Sequence, residues 1–408
     1  PAPRASAARL LRRISFDLTG LPPTIPELDR FLADSSPEAY ERAVDRLMAS
    51  PAYGERMALE WLDVARYGDT DGLFEDHPRS IYPWRDWLVS AFNENLPYRD
   101  FISWQLAGDL YPNASLDQKI ATGFLRNNPT SNEGGILDED YRIKYLVDRV
   151  NTTSTAFLGL TMECAQCHDH KFDPMSQREY YQFGGFFNSL TGAGNTKGAT
   201  APTLRMLEPD QEQQLALVTA ALAASEAALN ETPRGMLDDF EKWLTTVAPT
   251  AAERDKIPNG REKQLVHFRG IWPGFADLRE RRDQLAKEKA SIDALAVVTM
   301  IAGDETNPRS NHILMRGDYD KPGDMVEPAA PISIMPYPDQ WPKNRLGLAR
   351  WIVSPDNPLT ARVAVNRYWQ MIFGSGIVAT SEDFGTQGER PSHAALLDHL
   401  ADDFIRSG

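Results

Sequence analysis

Apolar residues in the first two hundred positions recur at steps of three and four, the repeat of helices that bury one face. Tyr40, Val44 and Leu47 share one such face, and Met57, Trp61 and Val64 share the next. Trp84, Trp87, Leu88 and Phe92 form a further stripe, and Pro97 starts a helix carrying Phe101, Trp104 and Leu106. Starting signals accompany these stripes. Thr24 with Glu27 makes a capping box, and Ser36 before Pro37 and Ser50 before Pro51 each place an N-cap ahead of a first-turn proline. The longest stripe, Leu146, Val150, Thr153, Phe157 and Leu160, keeps Arg142, Lys144, Asp148 and Arg149 on its other side and runs into Cys164. Beyond Pro174, Ser176 and Glu179 make another capping box for a helix bearing Tyr180, Phe183 and Phe187.

The pattern then changes twice. A Gly-, Thr- and Asn-rich stretch from Thr191 to Pro202 reads as a linker. After it, Leu215, Val218, Leu222 and Leu229, then Leu278, Leu285 and Ile292, recur at heptad-like positions, as in an antiparallel helical hairpin that packs on itself or offers an arm to a partner. From Val297 the runs are short and β-prone, followed by a proline-rich connection through Pro322, Pro328, Pro331, Pro336, Pro338 and Pro342. Helical stripes return with Leu348, Trp351 and Ile352, with Val363, Tyr368 and Ile372, and with Leu396, Leu400 and Phe404. The expected fold is therefore mainly α. It comprises a helical domain over residues 1–200, a coiled-coil-like hairpin or spacer over 201–296, and a mostly helical C-terminal domain with short strands over 297–408.

Composition narrows the class. With 42% hydrophobic and 25% charged residues, the chain has enough apolar side chains for packed cores. Its formal charge of −15 repels nucleic-acid phosphates and anionic lipids, which argues against either as a partner. No apolar run reaches membrane-spanning length; the longest candidate, Ala294 to Ala302, is short and contains Thr299. Pro1 to Arg13 lack the apolar core of a signal peptide, so an export signal would have been removed or would lie upstream.

The two cysteines of the chain stand as Cys164-Ala165-Gln166-Cys167-His168. This is the spacing of c-type haem attachment, in which each thiol adds to a haem vinyl group and the adjacent histidine reaches the iron as an axial ligand. The expectation is one covalent haem on Cys164 and Cys167 with His168 on the iron. Phe157, Phe172, Tyr180, Tyr181, Phe183, Phe186 and Phe187 are near enough in sequence to line a pocket for it. The sixth ligand is not named by the sequence: His170, Met162 and Met175 lie too close to His168 in the chain, and His77, His267, His312, Met371 and His393 are distant candidates. Glu133, Asp138, Asp169, His170 and Asp173 form a candidate polar pocket or Ca²⁺ site; helix capping and pairing with Arg126, Arg142 or Lys171 would use the same groups. Three functions stay open at this point. They are extracytoplasmic electron transfer, a haem enzyme of peroxidase-like or oxidative type with an open iron site, and a zinc-stapled binding or scaffold protein using Cys164, Cys167 and His170.

A resemblance favours the two haem readings over the zinc one. Arg12 to Leu190 resembles the cytochrome-like domain of a family abundant in planctomycetes, in which a DUF1549 domain precedes a DUF1553 domain. It does so through Asp17-Leu18-Thr19-Gly20-Leu21-Pro22-Pro23, Trp84-Arg85-Asp86-Trp87, Gln105-Leu106-Ala107-Gly108-Asp109, Asn132-Glu133-Gly134-Gly135 and Leu158-Gly159-Leu160-Thr161 running into Cys164 to Pro174. The last hundred residues resemble the second domain through Arg316-Gly317-Asp318-Tyr319, Asn357 to Val363, Asn366-Arg367 and Asp383-Phe384-Gly385. The resemblance implies a periplasmic or secreted haem protein with a redox partner protein, tied to polysaccharide breakdown. It also implies an export signal and often a further cytochrome-like module upstream, and a second domain that continues past Gly408. Cys164, Cys167 and His168 carry over position by position; the reaction and the sixth ligand do not.

Overall fold

The computed structural model describes residues 5–246, 258 and 260–408. Among them are sixteen α-helices and four short strands in two two-stranded sheets, so the protein is mainly α. The chain divides into two compact units, Pro1–Leu204 together with Val298–Gly408, and Arg205–Val297. The first half and the last quarter or so of the sequence thus build one body, and the segment between them builds another.

The larger unit begins with α1 (Ala7–Thr19), α2 (Ile25–Ala33), α3 (Ala39–Met48) and α4 (Pro51–Val64). In the capping box ahead of α2, the Thr24 N–H donates to Glu27 Oε2 at 2.8 Å and Thr24 Oγ1 accepts from the Glu27 N–H at 3.4 Å. Ser50 caps α4 ahead of Pro51. The Ser36–Pro37 signal behaves differently. The Ser36 hydroxyl donates to Asp34 Oδ1 at 2.6 Å and does not cap, so α3 starts at Ala39. α1 carries no start signal of that kind, yet Leu11 and Ile14 pack on Ala43 and Leu47 of α3 to bury its inner face.

Next come α5 (Tyr82–Asn93), α6 (Tyr98–Ala107), α7 (Leu116–Ala121) and α8 (Asp138–Thr153). Their tryptophans and phenylalanines make the centre of the unit. Trp61 lies 5.0 Å from Phe101 and 5.4 Å from Phe157 between ring centroids, and Trp87 stacks on Phe101 at 5.9 Å. α8 widens into one π turn at Ser154–Leu158 and stops at Gly159, whose φ of 59° is left-handed. α9 (Gln177–Gly184) follows behind the Ser176–Glu179 capping box.

The helices α14 (Arg345–Ile352), α15 (Thr360–Phe373) and α16 (Ala394–Ser407) complete this unit. α14 lies on α6, and its first residue decides the joint. Arg345, 0% exposed, donates to both carboxylate oxygens of Asp109 at 2.7 Å each, to Asp304 Oδ1 at 3.1 Å and to the Leu106 carbonyl at 2.9 Å. α15 and α16 enclose a small core of Val365, Ile377, Val378, Leu397 and Ala401.

In the smaller unit, α10 (Pro209–Asn230) runs antiparallel to α13 (Ala276–Asp293). Their direction follows from Arg205 pairing with Asp293 and Gln214 with Glu288 at one end, and Leu229 meeting Leu278 at the other. Val218 and Ile292 of the heptad stripes are buried. Between the arms, α11 (Arg234–Thr246) and α12 (Arg261–Ile271) form a separate core of Met236, Phe240, Phe268 and Phe275. The strands are β1 (Thr203–Met206), β2 (Val297–Met300), β3 (His312–Leu314) and β4 (Pro322–Met325). β3 and β4 pair antiparallel, with His312 opposite Met325.

Candidate functional site

The chain leaving Gly159 turns once through Glu163–Gln166 and presents the cysteine motif at the surface. Met162 and Ala165, 1% and 0% exposed, face the core and anchor the turn, while Cys164, Cys167 and His168 between them are exposed. Neither thiol forms a disulfide. α9 holds the turn from beneath: the Gln166 carbonyl accepts from Gln177 Nε2 and from the Tyr181 hydroxyl, both at 2.9 Å. Gln177 Nε2 also donates to the Leu314 carbonyl at 3.1 Å, which fixes strand β3 beside the motif. Burial keeps the Tyr180 and Tyr181 phenols protonated, well above the usual tyrosine range, so they serve here as neutral donors and packing groups.

The β3–β4 turn closes over one thiol. Arg316 and Gly317 take consecutive left-handed conformations, with φ of 58° and 78°. A Cβ on Gly317 would stand 3.0 Å from Cys167 Sγ, so this position has little room for a side chain.

His168 is fixed through one ring nitrogen. Its Nδ1 lies 2.7 Å from the Asp169 carbonyl oxygen, which can only accept, so Nδ1 carries a proton and in the neutral ring Nε2 is the nitrogen with the free lone pair. A backbone carbonyl that fixes the tautomer in this way commonly supports a ligating histidine. His170 is used differently: its Nδ1 accepts from the Asp173 N–H at 2.8 Å and closes the His170–Asp173 loop.

The acidic candidates do not share one site. Asp173 Oδ1 accepts from the Thr386 N–H at 2.6 Å and from its hydroxyl at 2.9 Å. Asp169 Oδ1 accepts from the Gln177 N–H at 2.8 Å at the start of α9. Asp138 Oδ1 accepts from the Gly194 and Asn195 N–H groups at 2.8 and 2.9 Å, and Glu133 is exposed. Among the described residues no group of three or more His, Cys, Asp or Glu side chains is close enough to hold a metal ion, so neither the Ca²⁺ set nor Cys164, Cys167 and His170 is assembled.

The distant axial candidates are scattered. His77 pairs with Glu75 at 2.9 Å, His393 Nδ1 meets Ser392 Oγ at 3.2 Å, and His267 stacks beside Trp243 in the smaller unit. Met371 lies with Trp61 and Phe92 against α4, and Met162 and Met175 are buried. His312 lines a cleft of about 270 Å³ with Tyr181, Leu314 and Tyr319, its Nδ1 held by the Gly323 carbonyl at 3.1 Å. The aromatic residues expected around a pocket are core instead. Phe157, Tyr180, Tyr181, Phe183, Phe186 and Phe187 are at most 3% exposed, and of the set only Phe172, 48% exposed, reaches solvent. The roles of Gln177, Tyr181 and Gly317 in positioning the motif were not legible in the sequence: the capping box placed Gln177 in a first turn, Tyr181 read as a pocket aromatic and Gly317 stood only within a family motif.

Residues 1–192 match a family described as a protein of unknown function, DUF1549, and residues 344–408 match a second described in the same words, DUF1553. The chain carries a DUF1549 segment followed by a DUF1553 segment. No curated protein and no solved structure matches it. In this DUF1549–DUF1553 protein the two matched segments meet beside the cysteine motif. The Phe384 N–H donates to the Gly159 carbonyl at 2.7 Å, Arg367 donates to the Thr155 carbonyl at 2.9 Å, and a Cβ at Gly385 would collide with the Asp173 carboxylate.

Gly159 combines a close joint with a left-handed backbone. A Cβ there would stand 2.9 Å from Val363 Cγ2 and 3.0 Å from Phe384 Cδ2, in a backbone conformation that already disfavours a side chain. Gly159→Ala is expected to lower the unfolding free energy by about 2–4 kcal/mol, from left-handed strain and overpacking together. Urea titration of the two proteins checks this; an unchanged midpoint would mean that the joint yields freely.

Proposed function

We propose that this protein is an extracytoplasmic c-type cytochrome that carries one covalent haem on Cys164 and Cys167, with His168 as an axial iron ligand, and passes electrons to or from a redox partner protein. The observation that carries the reading is the Cys164-x-x-Cys167-His168 turn itself, with both thiols exposed and unpaired and with Nε2 of His168 left as the ligating nitrogen. Each thiol would add its sulfur and hydrogen across one vinyl group, so attachment creates two thioethers and no leaving group. When bound, the haem supplies one-electron chemistry between ferrous and ferric iron.

The chain's own residues supply the mounting. Met162 and Ala165 fix the turn in the core, and Gln177 and Tyr181 hold the Gln166 carbonyl between the two cysteines. The Asp169 carbonyl sets the imidazole tautomer and orientation, which keeps the ligand position prepared before metal arrives. Gly317 leaves the Cys167 sulfur uncrowded. The acidic surface implied by a net charge of −15 suits a partner whose docking face is basic. A role in polysaccharide breakdown stands on the family resemblance, and a periplasmic or extracellular location on the resemblance and the attachment chemistry.

The test is a pyridine haemochrome spectrum together with an intact mass, on protein made in a host that matures c-type cytochromes. A c-type band and a mass increase of one haem are expected. Protein without haem from such a host would overturn the reading.

A further inference from the structure

A second site lies away from the cysteine motif and concerns charge. Burying a cation without a counter-charge is costly, so buried arginines normally face carboxylates. Three arginines in the larger unit do not. Arg79 and Arg126, 4% and 6% exposed, and the partly buried Arg149 line one small cavity of about 20 Å³ with Tyr145 and Thr196. Their hydrogen bonds go to neutral groups. Arg79 donates to the Asn127 and Asn128 carbonyls, Arg126 to the Ile301 and Thr200 carbonyls, and Arg149 to the Leu125 carbonyl and Asn128 Oδ1. None of the three forms an ion pair with a carboxylate among the described residues.

Asp71, then Asp69 and Asp76, act on Arg79 from a distance but none bonds to it, and the Asp71 oxygens are already engaged by the Thr130 hydroxyl and the Gly198 N–H, both at 3.0 Å. The charges acting on Arg126 and Arg149 are other arginines, so that side of the cavity carries an excess of positive charge. Burial, reinforced by Arg149 and Arg79, pushes Arg126 down to about 9, and burial pushes Arg149 down to about 10. Both remain cationic at neutral pH. Two hydrogen-bond donors are also left over: Arg79 Nε and Thr196 Oγ1 are buried with no partner among the described residues.

We propose that this cavity is a binding site for a small inorganic anion of halide size, chloride being the type. The volume admits one occupant about as large as a water molecule, which excludes phosphate, sulfate and carboxylate-bearing metabolites. A water would satisfy donors but would leave the charge excess in place; an anion answers both. The walls are built to close. The segment carrying Gly192, Thr196, Gly198 and Thr200 is pinned by Asp138 at Gly194 and Asn195, by Asp71 at Gly198, and by the Ser131 carbonyl at the Thr196 N–H. A fixed cage of that kind selects an anion by size.

The experiment uses the full chain in sodium gluconate at constant ionic strength, titrated with sodium chloride or sodium bromide while thermal unfolding is followed. Near a hundredfold excess over the dissociation constant, a saturable rise in Tm of about 5 °C is expected. Arg79→Gln is expected to abolish it. A flat response, or an equal rise in the variant, overturns the proposal. Should the variant fail to fold, anomalous diffraction from bromide-grown crystals of the unaltered protein decides. A bromide peak among Arg79, Arg126 and Arg149 supports the site, and an ordered water or an empty cavity there overturns it.

Discussion

Protein with both Cys164 and Cys167 replaced by serine is expected to carry no covalent haem, while each single variant keeps one thioether and shows a haemochrome band moved toward longer wavelength. The shift follows from the chemistry, because one vinyl group then stays conjugated with the ring. Both side chains are exposed, so the serines should change the stability of the fold itself by about 0.5 kcal/mol or less. Loss of haem with unchanged circular dichroism would therefore report lost attachment and not lost structure. Haem that survives denaturation in the double variant would show that the cysteines are not the attachment points. The Gly317 turn adds a finer check: a larger residue there should slow attachment at Cys167 while leaving Cys164 able to react, since only Cys167 Sγ faces that position.

The second large effect concerns stability. Arg345→Met removes the fully buried cation that, among the described residues, pairs with the mostly buried Asp109 and the partly exposed Asp304, and the expected loss is about 3–5 kcal/mol. Burial by itself would lower the Arg345 pKa; the two carboxylates outweigh it and hold the pKa above its ordinary value, so the pair is net attractive as built. Much of the expected loss is the cost of leaving Asp109 buried and uncompensated. Asp109→Leu combined with Arg345→Met should therefore recover a large part of it, and urea unfolding of the single and double variants measures the coupling. A loss of less than 1 kcal/mol in Arg345→Met would mean that water reaches the joint.

Much of the fold was open to reading from local pattern. The stripe from Leu146 to Leu160 is buried along its whole length, and the Thr24 and Ser176 capping boxes mark the true starts of α2 and α9. Such signals are local: a side chain three or four residues away meets its partner whatever the rest of the chain does. Failures came where a distant or competing group decided. Ser36 turned to Asp34, and the 191–202 segment, which reads as a linker, is a pinned wall because Asp138 and Asp71 reach it from elsewhere in the chain. α1 needed α3 before its apolar face had a meaning.

The site divides in the same way. Sequence alone determined the mainly helical fold, the helical arms of the smaller unit, and the spacing of Cys164, Cys167 and His168, because periodicity and a five-residue motif are properties of neighbouring positions. Tertiary structure decided the rest. It separated Asp138, Asp169 and Asp173 onto different backbone partners and left Glu133 exposed, placed Gly317 against Cys167, joined Asp109 to Arg345, and gathered Arg79, Arg126 and Arg149 around one cavity. Most of those partners come from separate elements of the chain, and only the packing of the helices fixes which charges share a site.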